Sequence, residues 1–155
     1  MWSSRYVKNI DKSLVMSNNC RILVETKKQT TMGTRSLISK ETGYKTEVES
    51  KYCHWDGYPS NNGVLLDENY NTEDDIDNLL SEEGYISSLG DSIESTKFND
   101  KDITDFHADE QTLFEDGNNL GVEYIYLFKN GVWYVTDTYE GKPSFQPLSH
   151  VLKTI

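Results

Sequence analysis

Two β-rich runs joined by a tight turn decide the fold of this chain: Val122-Glu-Tyr-Ile-Tyr-Leu-Phe128, then Asn130-Gly131, then Val132-Trp-Tyr-Val-Thr136. Asn-Gly between two such runs is the strongest short-range signal for a β-hairpin, because both residues tolerate the positive φ angles of a type I′ turn. Aromatic and β-branched residues dominate both runs and favour strands over helices. The segment therefore predicts an antiparallel hairpin over residues 122–136.

A second hairpin is predicted upstream, near residues 37–55. Residues 37–39 are typical of a strand, 41–43 of a turn, and 45–55 of the returning strand. Neither side of the returning strand is clearly apolar, so hydrophobicity specifies its register only weakly.

Short helices are predicted around the hairpins. Turn-forming residues fill 56–63, and a helix follows from Val64 to about Tyr70. Thr72 caps a second helix that ends near Gly84, with acidic residues at the positive end of its dipole. Short helical turns, loops and an edge strand are expected over 90–119, and a short helix from Leu148. The fold class is therefore α+β, with a small, mostly antiparallel sheet and two or three short helices packed on one side.

The charge of the chain is unevenly distributed, and the net value is −11 at pH 7. Residues 1–31 hold six basic and two acidic side chains, a net charge of +4. Residues 67–116 hold 17 acidic side chains against two lysines, a net charge of −15. Such a surface repels nucleic acids and anionic membranes and attracts a basic protein surface. We therefore expect neither direct nucleic-acid binding nor membrane binding.

The densest acidic run lies on the second predicted helix and directly after it. It comprises Glu73, Asp74, Asp75, Asp77, Glu82 and Glu83. One interpretation is a solvated face that aids solubility. The other is a surface that imitates the phosphates of a nucleic acid and occupies a nucleic-acid-binding protein of host or phage, because carboxylates collect the same lysines and arginines.

Secretion and membrane insertion are not expected. The first residues lack the apolar region and cleavage site of a secretory signal, and apolar runs are only a few residues long. Cys20 and Cys53 are too few for a disulfide framework or a four-cysteine zinc site. Cys53 is expected to pack as a small apolar side chain.

Several blocks resemble a family of uncharacterised tailed-phage and prophage proteins. They are Met32-Gly-Thr-Arg-Ser36, Tyr52-Cys-His-Trp-Asp-Gly-Tyr-Pro-Ser-Asn-Asn-Gly63 and Gly84-Tyr-Ile-Ser-Ser-Leu-Gly90. The resemblance spans most of residues 32–155 and implies a phage or prophage origin, hence the cytoplasm of a bacterial host, without naming an activity.

The resemblance also implies a start at Met32, because such proteins typically begin at the position that matches this residue. We therefore expect 32–155 to form a single α+β domain and 1–31 to be a basic extension, either non-native or loosely attached. Alternatively, the extension supplies an edge strand.

The second of these blocks is also a candidate binding site. A strand-to-helix junction can present backbone N–H groups and polar side chains to a small ligand, and an aromatic ring can stack on a base. The candidate ligand or partner contacts are His54, Trp55, Asp56, Tyr58, Asn61 and Asn62, with Arg35 as the partner of a phosphate. The alternative is a purely structural turn shaped by its glycines and proline.

A metal site is a weaker possibility. The pairs His54-x-Asp56 and His107-x-Asp109 could each present an imidazole and a carboxylate on one face of a strand, and four such ligands suit zinc, manganese or iron. Glycine-rich phosphate loops and a nucleophile elbow are absent from the sequence. We therefore predict no catalytic residue and no cofactor.

The leading hypothesis is a non-enzymatic phage or prophage accessory protein that binds a host or phage macromolecule. Inhibition of a host defence system through the acidic surface is its most specific form. One alternative is a protein that binds or sequesters a nucleotide-like ligand at residues 54–63. The other is a metal-dependent hydrolase that uses the two His-x-Asp pairs.

Overall fold

The computed structural model describes residues 33–155; the predicted N-terminal extension, Cys20 and the proposed start at Met32 lie outside the described residues. Residues Thr34–Ile155 form one compact unit. Its strands are β1 Ser36–Glu41, β2 Val48–Cys53, β3 Ile86–Ser88, β4 Lys97–Phe98, β5 Thr104–His107, β6 Tyr124–Lys129, β7 Val132–Asp137 and β8 Gln146–Pro147. Its helices are α1 Val64–Asn69, α2 Glu73–Ser81, α3 Glu110–Leu120 and α4 Leu148–Thr154, and a π-helical turn, Pro59–Gly63, leads into α1.

The eight strands within residues 33–155 form one mixed sheet in the order β4-β3-β2-β1-β6-β7-β8, and β5 pairs with β2 beside β3. Five of its pairings are antiparallel. The β1–β6 and β2–β3 pairings are parallel. The two predicted hairpins are β1–β2 and β6–β7, and the parallel β1–β6 pairing joins them at the centre of the sheet. The predicted α+β class with a mostly antiparallel sheet is confirmed.

The turn of the β6–β7 hairpin has the predicted type. Asn130 and Gly131 both have positive φ angles, +53° and +77°. The strands pair without a bulge from Tyr124 opposite Asp137 to Lys129 opposite Val132. A type I′ turn matches the right-handed twist of the two strands.

Helices cover both faces of the sheet. The short helices α1, α2 and α4 pack on one face, where Leu66, Ile76 and Leu148 meet Ile38 and Phe128. Helix α3 packs on the other face, and its buried residues Leu113 and Phe114 meet Leu37, Ile125 and Leu127. The central strands β1, β2 and β6 are therefore buried on both sides.

The acidic helix α2 begins as the sequence predicted. The Thr72 hydroxyl accepts the backbone N–H of Asp75 at 3.1 Å. Ile76, Leu79 and Leu80 form its buried stripe. The helix ends at Ser81, three residues before Gly84, which has a φ of +86°.

Helix α3 is the main difference from the sequence prediction, which expected only short helical turns, loops and an edge strand over residues 90–119. Asp109 caps this helix by accepting the N–H of Thr112 at 2.8 Å. A Cβ on Gly117 would lie 2.8 Å from Ile125 Cδ1, so this glycine allows the helix to approach the sheet closely. With 11 residues, α3 is the longest helix between residues 33 and 155. None of the helices in this range has the length and apolar character that a membrane span requires.

Candidate functional site

The register of the β1–β2 hairpin places Arg35 and His54 side by side. Ser36 and Cys53 are paired residues, so Arg35 and His54 flank the same end of the hairpin. Burial lowers the pKa of His54, and the nearby charge of Arg35 lowers it further. The imidazole is therefore mainly neutral at pH 7, when it can both donate and accept a hydrogen bond.

Aromatic rings surround this pair. The Tyr52 hydroxyl lies 3.0 Å from His54 Nδ1. The ring of Tyr85 meets that of Tyr52 edge-on at a centroid distance of 5.4 Å, and Trp55 meets His54 edge-on at 4.6 Å. Burial raises the pKa of Tyr52 to about 12 against the opposing effect of Arg35, so the phenol stays protonated. Trp55 is 43% exposed and can stack on an incoming ring.

Glu123 reaches the same end of the hairpin from the start of β6. Its Oε1 accepts the backbone N–H of Arg35 at 2.7 Å, and its own N–H donates to the Arg35 carbonyl at 2.9 Å. Burial raises the pKa of Glu123, while the Arg35 N–H and the Arg35 charge lower it. An anionic ligand at Arg35 would therefore share the guanidinium with this carboxylate.

Two of the predicted contact residues belong to a packed turn. Asn62 is fully buried, and its amide lies 3.2 Å from Cys53 Sγ. Asn61 donates to the carbonyl of Asp56 and to the side-chain oxygen of Asn62 at 3.3 and 3.1 Å. Asp56 itself has a φ of +60° and an exposed side chain. Asn61 and Asn62 therefore make these hydrogen bonds within residues 53–62.

Gly57 attaches this turn to the sheet. Its N–H donates to the Thr34 carbonyl at 2.8 Å, and its carbonyl accepts the buried Tyr126 hydroxyl at 2.6 Å. A Cβ on Gly57 would lie 2.8 Å from Ser36 Cβ, so the position requires glycine. Tyr58, the neighbour of Gly57, is exposed like Trp55. The turn therefore holds the two aromatic side chains at fixed positions on the surface.

The two His-x-Asp pairs do not form a metal site. His107 is buried against α3, and Asp109 caps α3 through its carboxylate. In the part of the chain that the structure describes, no group of three His, Cys, Asp or Glu side chains is placed to hold a metal ion. The predicted site of His54, Asp56, His107 and Asp109 is therefore wrong. Its premise, that His107-x-Asp109 lies within one strand, fails because β5 ends at His107.

A Ser–His–Asp network, which was not predicted from the sequence, lies on the α3 side of the sheet. The Nε2 of His107 lies 2.7 Å from Ser50 Oγ, and its Nδ1 lies 2.7 Å from Asp116 Oδ2. Ser50 is on β2, His107 on β5 and Asp116 on α3. Their spacing forms no motif, and only the antiparallel β2–β5 register, together with the undetected helix, would have revealed the network.

Basic side chains within residues 33–155 neutralise the acidic residues of α2 and the loop after it only in part. We call Glu73, Asp74, Asp75, Asp77, Glu82 and Glu83 the acidic face. Lys40 Nζ lies 3.0 Å from Glu73 Oε1 and 2.8 Å from Asp77 Oδ1. Asp74, Glu82 and Glu83 are exposed, and none of the basic side chains in residues 33–155 pairs with them.

Further carboxylates lie next to the acidic face. Burial raises the pKa of Tyr70, and the negative charges of Asp75, Asp91 and Glu94 raise it further. These three carboxylates therefore lie near Tyr70 and near one another. Burial likewise raises the pKa of Glu49, and the charge of Asp77 adds to it. The negative charge therefore extends from α2 to the neighbouring strands and loops.

Comparison with known proteins adds no constraint: no protein-family model, curated protein or solved structure matches the chain. Its function is therefore inferred from two regions that the fold assembles. One is the Arg35–His54 pair with its aromatic rings, and the other is the acidic face.

Proposed function

We propose that this chain is a phage or prophage accessory protein that acts in the cytoplasm of the bacterial host by binding a basic protein through its acidic face. The observation that carries the proposal is the group of exposed carboxylates on and around α2, of which Lys40 neutralises only two. The partner that fits best is a nucleic-acid-binding protein of host or phage, because its lysines and arginines already collect phosphates. Inhibition of a host defence nuclease is the most specific form of this function.

Electrostatics favours such a partner over a purely solubilising role. Side chains three or four residues apart on a helix are about 5–6 Å apart. This spacing is shorter than the Debye length of about 8 Å at physiological salt, so the fields of Asp74, Asp77 and the neighbouring carboxylates add. A concentrated field of one sign steers a basic partner and accelerates association.

An exposed aromatic side chain next to these carboxylates provides an apolar contact. Phe106 on β5 is 58% exposed and lies opposite Glu49 in the β2–β5 ladder. Glu49 is in turn close to Asp77 of the acidic face. Aromatic side chains surrounded by polar groups are frequent anchors of protein interfaces, so this arrangement suits a folded protein better than a simple polycation.

Neutralising the acidic face is expected to weaken partner binding about tenfold or more. The test variant carries Asp74→Asn, Glu82→Gln and Glu83→Gln, because each lost surface charge removes about 0.5 kcal/mol of binding free energy. The matched control carries Asp56→Asn, Asp137→Asn and Glu140→Gln, which change the net charge by the same amount elsewhere on the surface. The tagged chain is used to capture bacterial proteins, and the affinity of the main captured protein is then measured against salt.

The proposal requires three results together. Binding must fall steeply with salt, duplex DNA must displace the partner, and only the acidic-face variant must lose affinity. An equal loss of affinity in the control variant would show that net charge alone determines binding. Binding that does not depend on salt would show that the acidic face is not part of the interface. Thermal melts of both variants show whether the loss reflects unfolding.

A second candidate function, recognition of a nucleotide-like ligand, rests on the Arg35–His54 pair. A guanidinium can bind a phosphate, the neutral His54 can donate to or accept from a base, and the exposed Trp55 can stack on it. These groups lie at one end of the β1–β2 hairpin. The turn that contains Gly57 is hydrogen-bonded to Thr34 and Tyr126 next to them. Glu123 reduces the affinity expected for a bare anion, so a ligand with both a ring and a phosphate is favoured.

A nucleoside monophosphate is expected to quench Trp55 fluorescence and to raise the melting temperature by a few degrees. Both effects should disappear in Arg35→Gln and persist in Arg35→Lys at reduced strength, because lysine retains the charge but not the bidentate geometry. A Trp55→Phe variant identifies the fluorescence signal of that residue. Absence of both effects at millimolar nucleotide would exclude this function.

A further inference from the structure

We propose that Ser50, His107 and Asp116 form a nucleophile, a general base and a positioning carboxylate that hydrolyse small carboxylic esters. The site is distinct from the acidic face and from the Arg35–His54 pair, and it does not depend on either binding function. It lies between the β2–β5 ladder and α3, beside a cavity that Ser50, His107 and Asp116 all line.

The hydrogen-bond chain has the geometry that nucleophile activation requires. Ser50 Oγ and His107 Nε2 are 2.7 Å apart, as are His107 Nδ1 and Asp116 Oδ2. A carboxylate can only accept, so the Nδ1–H of the imidazole donates to Asp116 and Nε2 is left to accept the Ser50 O–H. The carboxylate thereby fixes the tautomer in which the imidazole can remove the serine proton.

The cavity beside the network has room for a small acyl group. Its volume is about 240 Å³, and its apolar walls come from Leu37, Ile103 and Leu120. Ser50 and His107 are buried, whereas the side chain of Asp116 is partly exposed at the edge. Asp105 and Asp116 add two carboxylates to the lining, so a short acyl chain without negative charge fits best.

Two polar side chains lie near Ser50, and one of them, Asn119, lines the cavity, where it can stabilise the negative charge of the transition state. The Ser39 hydroxyl is fully buried and has no hydrogen-bond partner among the residues that the structure describes. Ser39 is the ladder partner of Ser50, on the same face of the sheet, so their Cβ atoms are about 5 Å apart. An amide such as that of Asn119 is a known donor to a developing oxyanion.

The reaction proceeds in two balanced steps. Ser50 Oγ attacks the ester carbonyl carbon, its proton passes to His107 Nε2, and the bond between the acyl carbon and the alcohol oxygen breaks. The alcohol leaves with the proton from His107. Water then attacks the acyl-serine, its proton passes to His107, the bond to Ser50 Oγ breaks, and Ser50 recovers the proton as the carboxylic acid leaves.

A purely structural network explains the two hydrogen bonds but not the cavity. A packing role would be served equally well without a cavity at the serine. The cavity beside Ser50 therefore favours a ligand at this position.

The test uses the whole chain and a small alkyl fluorophosphonate, which phosphonylates activated serines. Wild type should acquire one adduct, located on Ser50 by peptide mass spectrometry, and should hydrolyse p-nitrophenyl acetate and butyrate. His107→Gln and Asp116→Asn should each slow both reactions by about 100-fold or more. Asp116→Asn should lower kcat with little change in KM, and Asp116→Glu should restore part of it. Ser81→Ala, at an exposed serine of α2, is the matched control and should behave as wild type.

Three results would overturn the assignment. The first is a folded wild-type chain that acquires no adduct at Ser50. The second is modification of Ser81 or other exposed serines at the same rate as Ser50. The third is labelling of Ser50 that is unaffected by Asp116→Asn in a variant whose circular dichroism and melting curve match wild type. Because the first two use the unmodified sequence, the result does not depend on whether a variant folds.

Discussion

Replacement of Gly84 by alanine is expected to lower the free energy of unfolding by about 2–5 kcal/mol. A Cβ at this position would lie 1.5 Å from the carbonyl oxygen of Asn99 and 2.7 Å from its carbonyl carbon. The obstacle is backbone, so no side-chain rotation can relieve it. The φ of +86° adds about 1–2 kcal/mol of conformational strain, and displacement of the packed backbone adds about 1–3 kcal/mol. Urea denaturation monitored by circular dichroism measures the change.

Gly43 and Gly141 provide matched controls for this variant. Their φ angles, +89° and +76°, resemble that of Gly84, but a Cβ at either position would have no atom within 4 Å. Gly43→Ala and Gly141→Ala should therefore cost only the conformational part, about 1–2 kcal/mol. Equal destabilisation of all three variants would show that backbone conformation, not collision with Asn99, determines the effect.

Replacement of Lys51 by methionine is expected to lower the free energy of unfolding by about 2–6 kcal/mol, although methionine fills a similar volume. Lys51 is fully buried, and its Nζ donates to the carbonyls of Glu82 and Gly84 at 2.6 and 2.7 Å and to the Thr104 hydroxyl at 3.2 Å. Methionine cannot donate, so the buried Gly84 carbonyl and the partly buried Glu82 carbonyl lose their partner, at about 1–3 kcal/mol each. The amine is thus the link between β2, the loop after α2 and β5.

The exposed Lys97 of β4 is the control for this substitution. Lys97→Met should change the free energy of unfolding by about 0.5 kcal/mol or less, because its side chain lies on the surface. A Lys51→Met variant as stable as Lys97→Met would show that the three acceptors find other partners. Since the Gly84 carbonyl accepts from Lys51, the double variant Gly84→Ala, Lys51→Met should be less destabilised than the sum of the two single changes.

The parts of the fold that depend on neighbours in sequence could be predicted. Asn130-Gly131 specifies its own turn, and Thr72 caps α2 through a residue three positions away. Helix α3 could not be recognised by an apolar stripe, because Gly117 lies where a large residue is expected. Only the Ile125 and Leu37 side chains, which approach that glycine from the sheet, explain it.

The same distinction applies to the candidate sites. The proximity of Arg35 and His54 follows from the register of one hairpin, so sequence reasoning could find it. The contacts of His107 depend on β5 pairing with β2 and on a helix that was not predicted, so its partners Ser50 and Asp116 could not be identified. The burial of Lys51 likewise follows from three distant acceptors that no local pattern encodes.

The parallel pairing of β1 with β6 has a consequence for the nascent chain on the ribosome. Ser36 pairs with Tyr124, so the ribosome must add 88 residues after Ser36 before this pairing can form. At about 5–20 residues per second this takes about 4–18 s. During that interval the β1–β2 hairpin presents an open row of N–H and C=O groups to other chains. A pause in translation before residue 124 thus leaves β1 with an unpaired edge that can hydrogen-bond to strands of other chains. Chaperones would have to cover this edge until β6 is synthesised.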